Sequence, residues 1–192
     1  MPPIKIRIDS GFVLLLALIY FFDSCGIIAA AAPAILVHEL SHIFAMRLFG
    51  AYPRALNAGV SGFSIDYTGT ISDWQEALTA LAGPTVGLLF AFLCAALGKH
   101  FSLEYLTMCG GIGFILNCFN LLPALPLDGG RALRELLCRL FGAYAAKAAL
   151  YCLGVGIAGC LCVLGAKLLA DGNGAALLLS GIWLMLLQRN DL

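Results

Sequence analysis

Hydrophobic residues fall into six long runs in this chain, separated by short polar and charged stretches. The runs cover about 10–22, 26–49, 73–97, 103–122, 143–166 and 174–188. An α-helix needs about 20 apolar residues to cross ~30 Å of hydrocarbon, and most of the runs come near that length. The first is short, so tilt or local thinning of the bilayer is expected with it. Asp23 and Ser24 mark a bend between the first two runs, and Ser72 or Asp73 stands where an N-cap would open the third. The stretch Ala51 to Ile71 follows a different period. Phe63, Ile65 and Tyr67 alternate with Ser64, Asp66 and Thr68, and Ser61-Gly62 is a turn signal after Leu56, Ala58 and Val60. This predicts a small membrane-associated β-hairpin over about 55–68, with an ordered loop as the alternative. A further helix is expected over about 131–140. The predicted fold is an all-α polytopic membrane protein of about six transmembrane helices, with the hairpin after the second, in a single domain over 1–192.

Composition agrees with the pattern. The chain is 61% hydrophobic and 11% charged, where soluble domains run nearer half and a quarter. A net charge of zero gives no reason to expect nucleic acid. If the N-terminus is cytoplasmic, Lys5, Arg7, Arg47, Arg54, Arg131, Arg134, Arg139, Lys147 and Arg189 lie on that side and only Lys99 and Lys167 on the other. That asymmetry satisfies the positive-inside rule and places both termini in the cytoplasm. Lys5 and Arg7 before an apolar run also suit a signal peptide, but Asp23 and Ser24 stand where small residues should precede cleavage, so an uncleaved first span is expected. The eight cysteines fall mostly in apolar runs and read as small buried hydrophobes. Gly83, Gly87, Gly154, Gly156 and Gly159 suit close helix packing and call for no further role.

The chemistry begins at His38-Glu39-Leu40-Ser41-His42, inside the second run. Ionisable groups at membrane depth are costly and therefore functional candidates. Residues i and i+4 share a helix face, so both imidazoles can reach one metal ion with Glu39 beside them. A catalytic zinc takes a third protein ligand and keeps a fourth position for water. His100 is assigned to the far side, leaving Asp66, Asp73, Asp128 and Glu135 as candidates. Asp128 stands out in Asn120-Leu121-Leu122-Pro123-Ala124-Leu125-Pro126-Leu127-Asp128-Gly129-Gly130, where two prolines break the helix and two glycines allow close approach. Broken backbone at membrane depth is tolerated where protein buries it or a watery cavity meets it. Asp128 equally suits an N-cap for the helix over 131–140.

The HExxH at 38–42 together with N-x-x-P-x-x-P-L-D-G-G at 120–130 resembles the site-2 protease family of intramembrane zinc metalloproteases. Ala82-Gly83-Pro84 matches a Gly-Pro that recurs in the family's third core span. The compact plan is most similar to the stage IV sporulation factor B type, but without the CBS domain that many such members carry after the last span, and without a PDZ insertion. The resemblance implies one zinc per chain held by His38, His42 and Asp128. It also implies Glu39 as the catalytic acid and base, and Asn120 as a residue that positions substrate or polarises its carbonyl. The catalytic core would be about 26–131, with extra helices at 10–22, 143–166 and 174–188. The implied setting is the bacterial cytoplasmic membrane and the implied partner a membrane-embedded or membrane-associated protein substrate, such as a sporulation sigma-factor precursor, with room for a regulatory membrane protein. A membrane zinc-binding or transport protein without peptidase activity is the rival, and it has little use for Glu39 between two ligands.

Overall fold

The structure is a computed structural model that describes residues 5–23, 26–59 and 62–190. Its elements run β1 (Lys5–Ile8), α1 (Ser10–Phe22), α2 (Ile27–Leu48), β2 (Tyr52–Gly59), β3 (Gly62–Thr68), α3 (Asp73–Phe101), α4 (Glu104–Asn120), α5 (Asp128–Phe141), α6 (Ala143–Ala170) and α7 (Ala175–Asn190). The chain divides into two compact units, one up to Cys118 and one from Phe119.

In the first unit, Asp23 explains the bend between α1 and α2. Its two carboxylate oxygens accept from the backbone N–H groups of Ile27 and Ile28, at 2.8 and 2.9 Å. Those donors open α2 and have no intrahelical partner, so the acid answers a need that lipid cannot. Ser24, the other residue read as part of the bend, lies outside the described residues. Within α2, Pro33 lacks the N–H that would bond the carbonyl of Ala29. The Tyr105 hydroxyl of α4 donates to that carbonyl instead, at 2.9 Å. α3 opens with a capping box: Ser72 accepts from the Gln75 N–H, and the Gln75 side chain accepts from the Ser72 N–H. Small residues let the helices close up. A Cβ on Gly113 of α4 would come within 3.2 Å of Ala34 and 3.3 Å of Ala91. Beside them, Ala30, Cys94 and Cys109 form a buried cluster covered by Phe90, Leu106, Met108 and Ile112. Cys94 and Cys109 thus behave as the small hydrophobes expected of them.

The predicted hairpin forms as β2 and β3, antiparallel, with Leu56 opposite Ile65 and Ala58 opposite Phe63. Ser61 of its turn signal lies outside the described residues. The register shifts between Pro53 and Ala55, where proline cannot donate to the ladder. A third strand was not foreseen. β1 pairs in parallel with β2, Lys5 opposite Ala55 and Ile8 opposite Ala58, so β2 is the middle strand.

In the second unit, α6 and α7 pack through small residues, with Gly165 against Leu178 and Gly181 against Cys162. The interrupted segment before α5 packs into this pair: Ala124, Leu127, Ala158 and Leu184 are buried together under Phe119, Leu122, Ile157, Leu161 and Trp183. The expectation that Gly156 and Gly159 serve close packing is not met, since a Cβ on either would stand in open space.

Helix lengths qualify the count of six spans. Among the described residues, Ile27–Leu48, Asp73–Phe101 and Ala143–Ala170 are long and apolar enough to cross a membrane. α1 has 13 residues and α4 has 17, which at 1.5 Å per residue is about 20–25 Å of helix. Ala175–Gln188 is a shorter apolar helix.

Candidate metal centre

His38 and His42 lie one helical turn apart on α2 and are almost fully buried, at 4% and 5% exposure. Their Nε2 atoms approach to 3.1 Å. The other nitrogen of each ring is committed. His42 Nδ1 stands 2.8 Å from the backbone carbonyl of Thr79 on α3, which can only accept, so Nδ1 carries the proton. His38 Nδ1 stands 2.8 Å from Asn117 Oδ1 on α4. The Asn117 amide nitrogen donates to the Gly113 carbonyl at 2.6 Å, which orients the amide with its oxygen toward the ring, so His38 Nδ1–H donates as well. With Nδ1 of each ring so engaged, the two Nε2 atoms face each other. That spacing suits two nitrogens that share one cation. Zn–N bonds of about 2.0–2.1 Å at a tetrahedral angle would place two nitrogens about 3.3 Å apart, close to the spacing found.

The neighbouring helix is shaped to this pair. A Cβ on Gly83 of α3 would land on His42 Nε2, and one on Gly87 would land on Asn117 Oδ1. These two glycines, read from sequence as general packing positions, form the bare wall against which the ligand ring and its supporting amide lie. Thr79 is buried as well, and its hydroxyl has no protein partner.

Asn117 is the functional residue that sequence reasoning missed. It is fully buried at 0% exposure. The available signal was a second amide, three residues before Asn120, in the apolar run 103–122, where polar groups are conspicuous. Asn120, the residue expected to bind substrate, is the last of α4, one turn beyond Asn117 and partly buried. Glu39 follows His38 on α2 and is also partly buried.

Asp128 belongs to the second unit. It is the first residue of α5 and is 7% exposed. The N-cap is Leu127, and no side-chain cap hydrogen bond forms, so the alternative of Asp128 as an N-cap is not what the structure adopts. Arg131 Nη1 approaches its carboxylate to 3.5 Å, and a carboxylate in the first turn also complements the helix dipole. The structure thus gathers His38, His42, Asn117, Thr79 and Gly83 in the first unit, and sets Asp128 with Arg131 in the second.

Comparison with solved structures aligns this chain, over 100% of its length, with 92% of the site-2 protease from Methanocaldococcus jannaschii, at a TM-score of 0.75 and 20% identity. The chain has the site-2 protease fold. The profile of peptidase family M50 matches residues 99–163 of this fold, a stretch that includes Asn120 and Asp128. A zinc metalloprotease of Methanocaldococcus jannaschii is 26% identical over 115 residues, covering 57% of this chain and 33% of that protein. A protein of Synechocystis sp., provisionally named a zinc metalloprotease, is 28% identical over 116 residues, covering 57% of this chain and 30% of its own. The chain spans about a third of the length of these curated relatives. The resemblance to the site-2 proteases therefore holds in motif, in sequence match and in fold, and with its apolar helices the chain is an integral membrane protein.

Proposed function

We propose that this chain is an intramembrane zinc metalloprotease that cleaves a membrane-embedded or membrane-associated protein. The observation that carries the reading is the convergence of two imidazoles through Nε2, each locked by a hydrogen bond at Nδ1. A ring fixed in this tautomer and orientation is how proteins prepare histidine for a metal. Asp128 is the third ligand in this reading. Two imidazoles and a carboxylate have the donor chemistry for one zinc with an open fourth position, and all three side chains are buried.

When bound, zinc supplies Lewis-acid polarisation and acidifies a water. Glu39 accepts a proton from the water that attacks the scissile carbonyl carbon. It returns that proton to the amide nitrogen as the carbon–nitrogen bond breaks, leaving a carboxyl and an amine. Asn120 donates a hydrogen bond to the substrate. The substrate must first unwind, because helical backbone has its amides bonded internally. β3 is an outer strand of the sheet, and the reading assigns it the loosened segment as an added strand.

The proposal extends to a single functional domain with a core over about 26–131, six spans, both termini in the cytoplasm and a setting in the bacterial cytoplasmic membrane. A sporulation sigma-factor precursor is one substrate within the proposed class, and a regulatory membrane protein is a further proposed partner. The deciding experiment co-expresses candidate single-span substrates with wild type and with Glu39→Gln. Cleavage should disappear in the variant while one zinc per chain remains. Cleavage that persists would sink the catalytic assignment, and zinc binding with no cleavage by wild type of any candidate would favour the transport reading.

A further inference from the structure

α7 is apolar along nearly its whole length, and Ser180 and Gln188 are the polar residues among its described side chains. Ser180 bonds back to the Ala176 carbonyl in its own helix. Gln188 does something else. It is buried at 2% exposure, and its amide nitrogen donates to the backbone carbonyl of Leu125, 63 residues earlier. The fold makes room for this reach. A Cβ on Gly154 of α6 would come within 2.5 Å of the Gln188 amide carbon and nitrogen.

Leu125 lies in the interrupted segment that leads into Asp128. Three of that segment's bonds are local: Leu122 N–H to Phe119 O, Ala124 N–H to Leu122 O and Leu127 N–H to Ala124 O, at 3.1, 2.8 and 2.9 Å. Pro123 and Pro126 have no N–H to give. The Leu125 carbonyl takes its hydrogen from Gln188, and an unsatisfied carbonyl away from water is costly. The adjoining peptide, Ala124–Leu125, supports the start of α5, since a Cβ on Gly130 would come within 2.7 Å of Leu125 N. The peptide gripped by α7 therefore directly follows the one against which Gly130 packs, two residues before Asp128.

We infer that Gln188 is a positioning residue: through the Leu125 carbonyl it sets where Asp128 presents its carboxylate to the metal. The inference rests on the reading of Asp128 as a metal ligand. Partners one step removed from a metal typically contribute 10–100-fold to its affinity.

The test measures zinc affinity of the purified full chain by competition with a chromophoric chelator, alongside thermal unfolding of the metal-free chain. Gln188→Leu, close in size, should weaken zinc binding about tenfold. Gln188→Asn, one methylene too short to reach Leu125, should do the same and supplies the measurement if the leucine variant does not fold. In an Asp128→Ala background, Gln188→Leu should change affinity by less than about twofold, because the two act as one unit. Unchanged zinc affinity with a lower unfolding temperature would reduce Gln188 to a packing role and overturn the inference. An equal loss with and without Asp128 would overturn it too. If Asp128→Ala alone leaves zinc affinity intact, the ligand reading falls and takes this inference with it.

Discussion

At the scale of single residues, the centre depends on what stands beside the histidines as much as on the histidines themselves. The H-E-x-x-H spacing was open to view because helical periodicity puts His38 and His42 on one face. Their partners were not, because Thr79 and Asn117 lie 37 and 79 positions from the rings they hold. Local spacing carries no information about such separations. Asn117→Leu should therefore weaken zinc binding by about 10–100-fold while the chain stays folded, read by chelator competition. An unchanged affinity would mean that His38 keeps its orientation without the amide. Gly83→Ala should be worse for the metal than for the fold, since its methyl would sit on His42 Nε2. A zinc content below that of wild type in folded protein checks this, and full occupancy would show that α3 can shift away.

At the scale of elements, some boundaries could be read from the sequence. α1 begins and ends where the apolar run does, and α3 starts at the Ser72 capping box. α3 then continues through Gly98 to Phe101, past the predicted end at 97, because helix hydrogen bonds do not stop where hydrophobicity does. The Pro33–Tyr105 relation was hidden for the same reason as Asn117: the donor that serves the Ala29 carbonyl belongs to another helix. Tyr105→Phe should destabilise the protein by about 1 kcal/mol, the range for one interhelical hydrogen bond, and leave zinc affinity unchanged. Thermal unfolding in detergent with a parallel chelator titration separates the two effects. The strands were half legible. Alternation at 63–68 announced β3, whereas β1 is four residues long and acquires its identity from pairing with β2. In the proposed role of β3 as a receiving edge, a proline at a position whose N–H faces away from β2 should slow substrate cleavage several-fold with zinc retained. Undiminished cleavage would remove the edge from the mechanism.

At the scale of the whole molecule, the prediction that matters most is metal dependence. Stripping zinc with a chelator should abolish cleavage, and returning zinc should restore it; activity that survives complete removal would end the proposed mechanism. Reporter fusions at the two ends should both report cytoplasm if the nine basic residues assigned to that side orient the chain. The amino-acid sequence by itself determined a membrane protein, its helical runs, a hairpin after the second and the residue types of a metal site, because these depend on composition and short-range period. Tertiary structure decided the rest. It joined β1 to the hairpin and brought two Nε2 atoms face to face. Contacts between residues far apart in the chain have no local signature, and at membrane depth they are where unsatisfied carbonyls and ring nitrogens must find their partners.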